Sequence, residues 1–99
     1  MYVVLLTYTA PLQEIDYVLP DHTDWLARQF EHNHLLASGR RDMHLGEVMI
    51  ARPMPRLKLD AFLAADPLVL NHLAHYEVVE FTATRTSHEL RLLNEAMPH

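Results

Sequence analysis

The chain has 99 residues, 49% of them apolar and 21% charged, a composition typical of one folded domain over residues 1–99 rather than of a disordered chain. It carries 8 Lys and Arg against 13 Asp and Glu without a basic cluster, and this formal net charge of −5 argues against a nucleic-acid partner. The sequence has no cysteine, which excludes disulfides and cysteine-bound metals. It also has no apolar run near the roughly 18 residues of a membrane span and no basic leader, so we expect a cytoplasmic protein that does not enter a membrane.

The first half of the chain predicts a strand followed by a helix. Residues 2–9 are rich in β-branched and aromatic side chains and predict the first strand, which Pro11 closes. A helical pattern covers residues 13–33, but Pro20 disfavours helical geometry at Leu19, so we expect a short turn and then the main helix from about Asp21. Five residues at three- and four-residue spacing predict its inward stripe: Val18, His22, Trp25, Leu26 and Phe30.

Two short strands and a second helix follow. Residues 35–38 predict a strand that Gly39 closes, and residues 47–52 predict another between a turn at Gly46 and Pro53. Pro55 suits the first position of the next helix. The spacing predicts that the inward face of this helix consists of Leu57, Ala61, Phe62 and Ala65.

The last third of the chain predicts a turn, a strand and a terminal helix. Asp66 and Pro67 end the second helix, and a turn follows as far as residue 73. Residues 76–84 predict the fourth strand, and Ser87 can cap a last helix to about residue 96. The order β-α-β-β-α-β plus a C-terminal helix predicts an α+β, ferredoxin-like fold.

Both faces of the first strand are apolar. Val3 and Leu5 alternate with Val4 and Leu6, whereas an antiparallel sheet covered by helices on one side normally shows a polar opposite face. The simplest cover for a second apolar face is the same sheet of a second copy, so we expect a homodimer through the sheet face. The alternative is an exposed apolar patch of modest size on a central strand.

His22 and Asp66 are the candidate catalytic residues. His22 occupies a position on an apolar helix stripe where a core would ordinarily place Leu or Ala, and imidazole exchanges protons near neutral pH. A buried histidine bonded to the backbone is the structural alternative. Asp66 precedes Pro67 and can cap the next helical turn as well as act in catalysis, since one carboxylate has two oxygens.

Four residues are candidates for ligand binding. Ser38 and Gly39 end a strand, where a hydroxyl and backbone N–H groups can face a ligand, although this pair is above all a turn marker. Arg40, like its neighbour Arg41, could bind a carboxylate or phosphate, and Tyr8 could place its hydroxyl in the same cleft or only pack.

No metal or cofactor is expected. The pairs His32 with His34 and His72 with His75 have spacings that a metal can use, but no cysteine or metalloprotease pattern supports them. With only two glycines, the chain also lacks phosphate-binding loops and dinucleotide motifs.

Several stretches together resemble the YciI-like (YCII-related) family. They are the opening YVVLLTYTAPL, the helix with His22, Trp25 and Leu26, and the segments LLASG, IAR, AFLAADPL and YEVVEFTATR. The resemblance implies a dimeric α+β barrel, related to muconolactone isomerase-like proteins, and an active site in which His22 faces Asp66. One branch of the family is similar to dehydrochlorinases that act on chlorinated hydroxyquinol intermediates.

The chain departs from the family pattern in three places. It has Arg40 where Ser-Gly-Pro is common, Glu47 after Gly46 where a glycine-rich turn is common, and Leu68 where Asp-Pro-Phe is common. The loop beside the cleft therefore favours a different ligand, one that carries negative charge, or no ligand.

Two hypotheses of function follow. In the first, the protein is a small enzyme without a cofactor, a lyase or isomerase for a small cyclic or aromatic acid; degradation of a chlorinated aromatic is its narrow form. His22 would abstract or deliver a proton, and Asp66 would orient the imidazole ring and stabilise the imidazolium. In the second, the protein is a non-catalytic module that binds a small ligand or a partner.

Overall fold

The computed structural model describes residues 1–96 and contains four strands and three helices in that range; the last three positions of the predicted domain lie outside the described residues. The elements are, in chain order, β1 (Tyr2–Tyr8), α1 (Leu12–Glu31), β2 (Leu35–Arg40), β3 (Gly46–Ala51), α2 (Arg56–Ala64), α3 (Pro67–Leu70) and β4 (Ala74–Glu80). Short 3₁₀ segments occupy Asp42–His44 and His88–Leu93.

The strands form one antiparallel sheet in the order β2-β3-β1-β4. The first strand in the chain is therefore central, and the connections β1-α1-β2 and β3-α2-β4 interleave in space. This is the split βαβ arrangement of ferredoxin-like folds. The predicted α+β, ferredoxin-like fold class is confirmed.

The two faces of the sheet have different surroundings. Tyr2, Val4 and Leu6 of β1 are buried in the core, on the side that also packs Ile15 and Trp25 of α1. The apolar residues of the opposite face are only partly buried or exposed; they are Val3, Leu5, Val48, Ile50 and Val79. The alternation of β1 thus places one apolar row inward and leaves the other without cover from this chain.

Helix α1 runs without a break through Pro20, so the predicted turn before residue 21 is wrong. Proline removes the hydrogen bond to the carbonyl four residues earlier, which here belongs to Asp16. Both Pro20 and Asp16 lie on the exposed side, where water can bind that carbonyl. Among residues 1–96, neither α1 nor any other helix is both long and apolar enough to cross a lipid bilayer.

The inward stripe of α1 differs from the predicted one at its C-terminal end. His22 and Trp25 are buried as expected, but Phe30 is 38% exposed and Gln29 is buried in its place. The Gln29 amide can be buried because its Nε2 donates to the carbonyl of Trp25 at 3.3 Å and its Oε1 lies 2.8 Å from Nδ1 of His34. Satisfied polar atoms remove most of the cost of burying this residue.

Helix α2 is rotated from the predicted orientation. It buries Leu59, Phe62 and Leu63, whereas Leu57 is 84% exposed. The predicted residues Ala61 and Ala65 are also exposed, so of the predicted inward face only Phe62 is correct. Burying two leucines and a phenylalanine on adjacent turns removes more apolar area from water than the predicted alanine-containing face.

Three boundaries are also corrected. β2 continues through Gly39, which pairs with Val48, because Gly39 adopts extended geometry rather than closing the strand. β4 ends at Glu80 rather than residue 84. The predicted C-terminal helix is a short 3₁₀ segment at His88–Leu93, and the Ser87 side chain makes no capping hydrogen bond, so this segment lacks the predicted N-terminal cap.

Candidate functional site

The strands bring four polar side chains to one end of the sheet, on its helix-covered side. Glu47 of β3 lies opposite Arg40 of β2, and Met49, a core residue two positions on, lies opposite Ser38. Residues that face each other across an antiparallel pair share a face, so Arg40 and Ser38 lie on the side of Glu47 and Met49. Tyr8 continues the buried row of β1 on the same side.

Helix α1 positions His22 over this end of the sheet. The side chain is only 2% exposed, and its ring stacks on Trp25 with centroids 5.6 Å apart. Trp25 is fixed in turn because its indole N–H donates to the carbonyl oxygen of Phe62 at 3.0 Å. The imidazole therefore packs on an indole that is itself fixed to α2.

Asp66 reaches His22 from the other half of the chain. It is 1% exposed and is the N-cap of α3, where its Oδ1 accepts the backbone N–H of Leu68 at 3.0 Å. The same Oδ1 lies 2.8 Å from Nδ1 of His22. The sequence suggested that one oxygen could serve each purpose; instead Oδ1 serves both, and the buried Oδ2 has no partner among the described residues.

Glu47 is the residue of the site that the sequence analysis missed. Its Oε2 lies 2.5 Å from Nε2 of His22, and the residue is 8% exposed. The carboxylate lies off the direction of the ring N–H, so this contact is a close ion pair rather than an aligned hydrogen bond. Strand alternation could have predicted that Glu47 points inward, since it shares the inward face of β3 with Met49 and Ala51.

Gly46 determines where Glu47 stands. It has a φ of 151°, and a Cβ atom at this position would lie 1.8 Å from the carbonyl oxygen of Leu6 on β1. Only glycine permits this approach of the two backbones. Gly46 therefore fixes the start of β3 and the position of the Glu47 side chain.

The two carboxylates hold the imidazole in its charged form. Burial opposes the charge, but the contacts with Asp66 and Glu47 outweigh it and raise the pKa of His22 to about 9. At neutral pH the site therefore contains an imidazolium, and Nε2 carries a proton. Burial, with the carboxylate of Glu47 as the next cause, also raises the pKa of Tyr8, so its phenol stays a hydrogen-bond donor.

A cavity of about 250 Å³ opens beside His22 and Glu47. All four predicted ligand-binding residues line it: Tyr8, Ser38, Gly39 and Arg40. A second cavity of about 230 Å³ adjoins it, because Tyr8, Leu19 and Arg40 line both. Asp66 lines neither and lies behind His22. The predicted proximity of His22 and Asp66 is found, while the roles of these residues remain a prediction.

The comparison with known families gives one match. Residues 1–82 match the family model of the YCII-related domain, which covers most of the chain. This protein belongs to the YCII-related domain family. The resemblance seen in the sequence is therefore confirmed. No curated protein matches the chain.

In this YCII-related domain the remaining candidate residues lie away from the cavity. Arg41 donates to Thr7 Oγ1 at 2.8 Å instead of lining it. The His32 and His34 rings are 5.6 Å apart, but His34 stacks on Phe62 at 4.7 Å. Within residues 1–96, no group of three or more His, Cys, Asp or Glu side chains is placed to hold a metal ion.

Proposed function

We propose that this YCII-related domain binds a small anionic organic molecule and transfers a proton on it, with His22 as the proton reservoir. One observation carries the proposal: a buried imidazole in contact with two carboxylates forms part of the wall of a cavity of about 250 Å³. Perturbed titratable groups beside a cavity are typical of acid–base sites. Positioned proton transfer contributes about 10²–10⁴-fold to a rate.

Asp66 is the positioning residue in this proposal. Its aligned contact with Nδ1 fixes the orientation of the ring and stabilises the imidazolium. Because the raised pKa keeps His22 protonated at neutral pH, delivering a proton is its first step rather than abstracting one. A lyase or an isomerase needs such a step at a carbon next to a carbonyl group.

Arg40 and Tyr8 define the ligand class. The guanidinium group of Arg40 stands at the junction of the two cavities, with no carboxylate among residues 1–96 paired to it, so it suits a ligand carboxylate. The neutral phenol of Tyr8 can donate to a ligand oxygen. Leu19 and Leu26 supply an apolar wall for a ring. A small cyclic or aromatic acid fits these features.

A deuterium-exchange screen tests the proposal. Small cyclic and aromatic acids with a C–H bond beside a carbonyl, chlorinated hydroxy compounds included, are incubated with the protein in D₂O and followed by ¹H NMR. The incubation is at about pH 9, where part of the His22 population is neutral and can take up the C–H proton. We expect the protein to accelerate deuterium incorporation into at least one acid, and His22→Gln to abolish this while His88→Gln, an exposed control in the C-terminal 3₁₀ segment, does not. Binding of an acid without exchange would instead indicate the non-catalytic binding module.

We also propose that a second copy covers the open face of the sheet. That face presents Val3, Leu5, Val48, Ile50 and Val79, an apolar surface across three neighbouring strands. A polar partner would leave these side chains unmatched, whereas the same sheet of a second copy is complementary in hydrophobicity. The dimer would keep both cavities on the outer, helix-covered sides.

Measurement of mass in solution tests the dimer. We expect twice the 11.5 kDa of one chain, and dissociation in Val79→Lys, which places a charge on the exposed part of this face. The control is Leu57→Lys, on the 84% exposed surface of α2, which should stay dimeric. A monomeric wild type would contradict the proposal.

A further inference from the structure

Both His22 and Glu47 line the cavity, but Glu47 stands between the cavity and the ring nitrogens of His22. The Nε2 atom of His22 is buried, while Glu47 lines the cavity and its side chain is 11% exposed. The other ring nitrogen, Nδ1, is occupied by Asp66. A ligand in the cavity therefore meets the carboxylate of Glu47 before it meets either nitrogen of the imidazole.

Charge balance at His22 does not require Glu47, although its carboxylate contributes to the raised pKa of the imidazole. Asp66 alone neutralises the imidazolium, with an aligned contact at 2.8 Å. A second buried carboxylate leaves the group with a net charge of −1, and removing an uncompensated charge from water is costly. A neutral side chain at position 47 would fill the same space without this cost, so packing alone does not explain the carboxylate.

The distance between the two groups suits proton transfer. The Nε2 and Oε2 atoms are 2.5 Å apart, so a proton can pass between them once the Glu47 carboxylate turns into line with the ring N–H. Moving the proton across this contact converts an imidazolium and a carboxylate into a neutral imidazole and a carboxylic acid. The acid proton then lies on the group that lines the cavity.

We propose that Glu47 is a catalytic residue that carries the proton between His22 and the ligand. This inference rests on the proposed function. In the delivering direction, the proton leaves Nε2 for Glu47, and Glu47 passes a proton to the nucleophilic carbon of an enolate. The electron pair of the enolate forms the new C–H bond and the carbonyl group is restored. Glu47 ends as the carboxylate it began as, His22 ends neutral, and the reverse direction follows the same steps.

The first test needs no ligand. Solvent exchange of the His22 Nε2 proton is measured by ¹⁵N NMR at about pH 5.5, where an ordinary histidine of pKa about 6.5 is also protonated. A relay predicts that Glu47→Gln slows this exchange at least about tenfold, because the group that accepts the proton is lost. A carboxylate that only covers the ring predicts unchanged or faster exchange, and that result would overturn the proposal.

Two variants keep the test interpretable. Glu47→Asp retains a carboxylate on a shorter side chain and should restore part of the exchange, including in the case where Glu47→Gln fails to fold. Glu31→Gln removes an exposed carboxylate at the end of α1 and should leave the exchange at the wild-type rate.

The second test uses the acid that the deuterium screen identifies. Glu47→Gln should lower deuterium incorporation by about 100-fold or more while the thermal shift caused by that acid persists. Wild-type incorporation in Glu47→Gln, together with its loss in His22→Gln, would refute the relay and leave the proposed function intact. Full incorporation in His22→Gln would refute the proposed function itself.

Discussion

Replacing Asp66 by Asn tests the electrostatic basis of the site. Asparagine has nearly the same shape and is as good an N-cap as aspartate, so its side-chain oxygen can still accept the N–H of Leu68. The substitution therefore removes the negative charge beside Nδ1 of His22 and leaves the cap of α3. We expect the pKa of His22 to fall by at least about one pH unit, since an adjacent opposite charge typically shifts a pKa by about 1–3.

The size of the effect on stability follows from the pKa of His22. Its value of about 9 in the folded protein compares with about 6.5 in an unfolded chain. Since each tenfold change in proton affinity is about 1.4 kcal/mol, the protonated histidine contributes about 3 kcal/mol to the free energy of unfolding. The folded pKa is the higher one, so this contribution is complete below about pH 6.5 and is lost as the pH rises through about 9.

Two measurements check this prediction. An NMR titration of the histidine rings gives the pKa of His22 directly, and His22→Gln identifies its signal. Urea unfolding between about pH 6 and 10 gives the pH dependence of stability, which should be weaker in Asp66→Asn than in the wild type. The matched control is Asp60→Asn, whose carboxylate pairs with Arg56 on the exposed surface and should leave both the His22 pKa and the pH dependence unchanged.

Two outcomes would refute the reasoning. A wild-type His22 that titrates near about 6.5 would show that the carboxylates do not outweigh burial. A raised pKa that Asp66→Asn leaves unaltered would assign the charge stabilisation to Glu47 alone, and Asp66 would then be only a helix cap.

Two further predictions concern the framework of the site. Gly46→Ala places a Cβ 1.8 Å from a carbonyl oxygen of β1 and should cost at least about 3 kcal/mol in urea unfolding, whereas Gly39→Ala, whose Cβ would meet nothing within 4 Å, should cost far less. A Gly46→Ala protein as stable as Gly39→Ala would show that β3 can start differently. Tyr2→Phe removes a hydrogen bond to the Met54 carbonyl and should cost about 1 kcal/mol, while Tyr17→Phe, 88% exposed, should be neutral by the same measurement. Equal stability of the two tyrosine variants would contradict the assigned bond.

Local patterns were sufficient to predict the order of the elements and the fold class. Alternation along β1 and helical spacing along α1 depend on which residues a strand or helix turns inward, and that property is readable from the sequence. The same reasoning singled out His22, a titratable side chain on an apolar stripe, and Asp66, a carboxylate at the end of a helix that could also cap the next turn. That the two face each other was an expectation from the family resemblance.

Local patterns failed where packing outweighed propensity. Proline predicted a break near residue 20, but the burial of His22 and Trp25 holds α1 together on its other side. The predicted inward face of α2 was wrong because several sets of apolar residues could form it. Which of them pack depends on the sheet beneath the helix, and the spacing alone does not contain that information.

Only the tertiary structure decided how the site is composed. Glu47 looks like an ordinary surface residue after a turn glycine, and its burial beside His22 depends on the strand register that turns it inward beneath α1. The three residues of the site come from separate elements: His22, Glu47 and Asp66. Their spacing along the chain does not predict the distances between their side chains. Burial then lets these contacts decide the protonation of His22, because a buried charge is stabilised mainly by the few groups in contact with it.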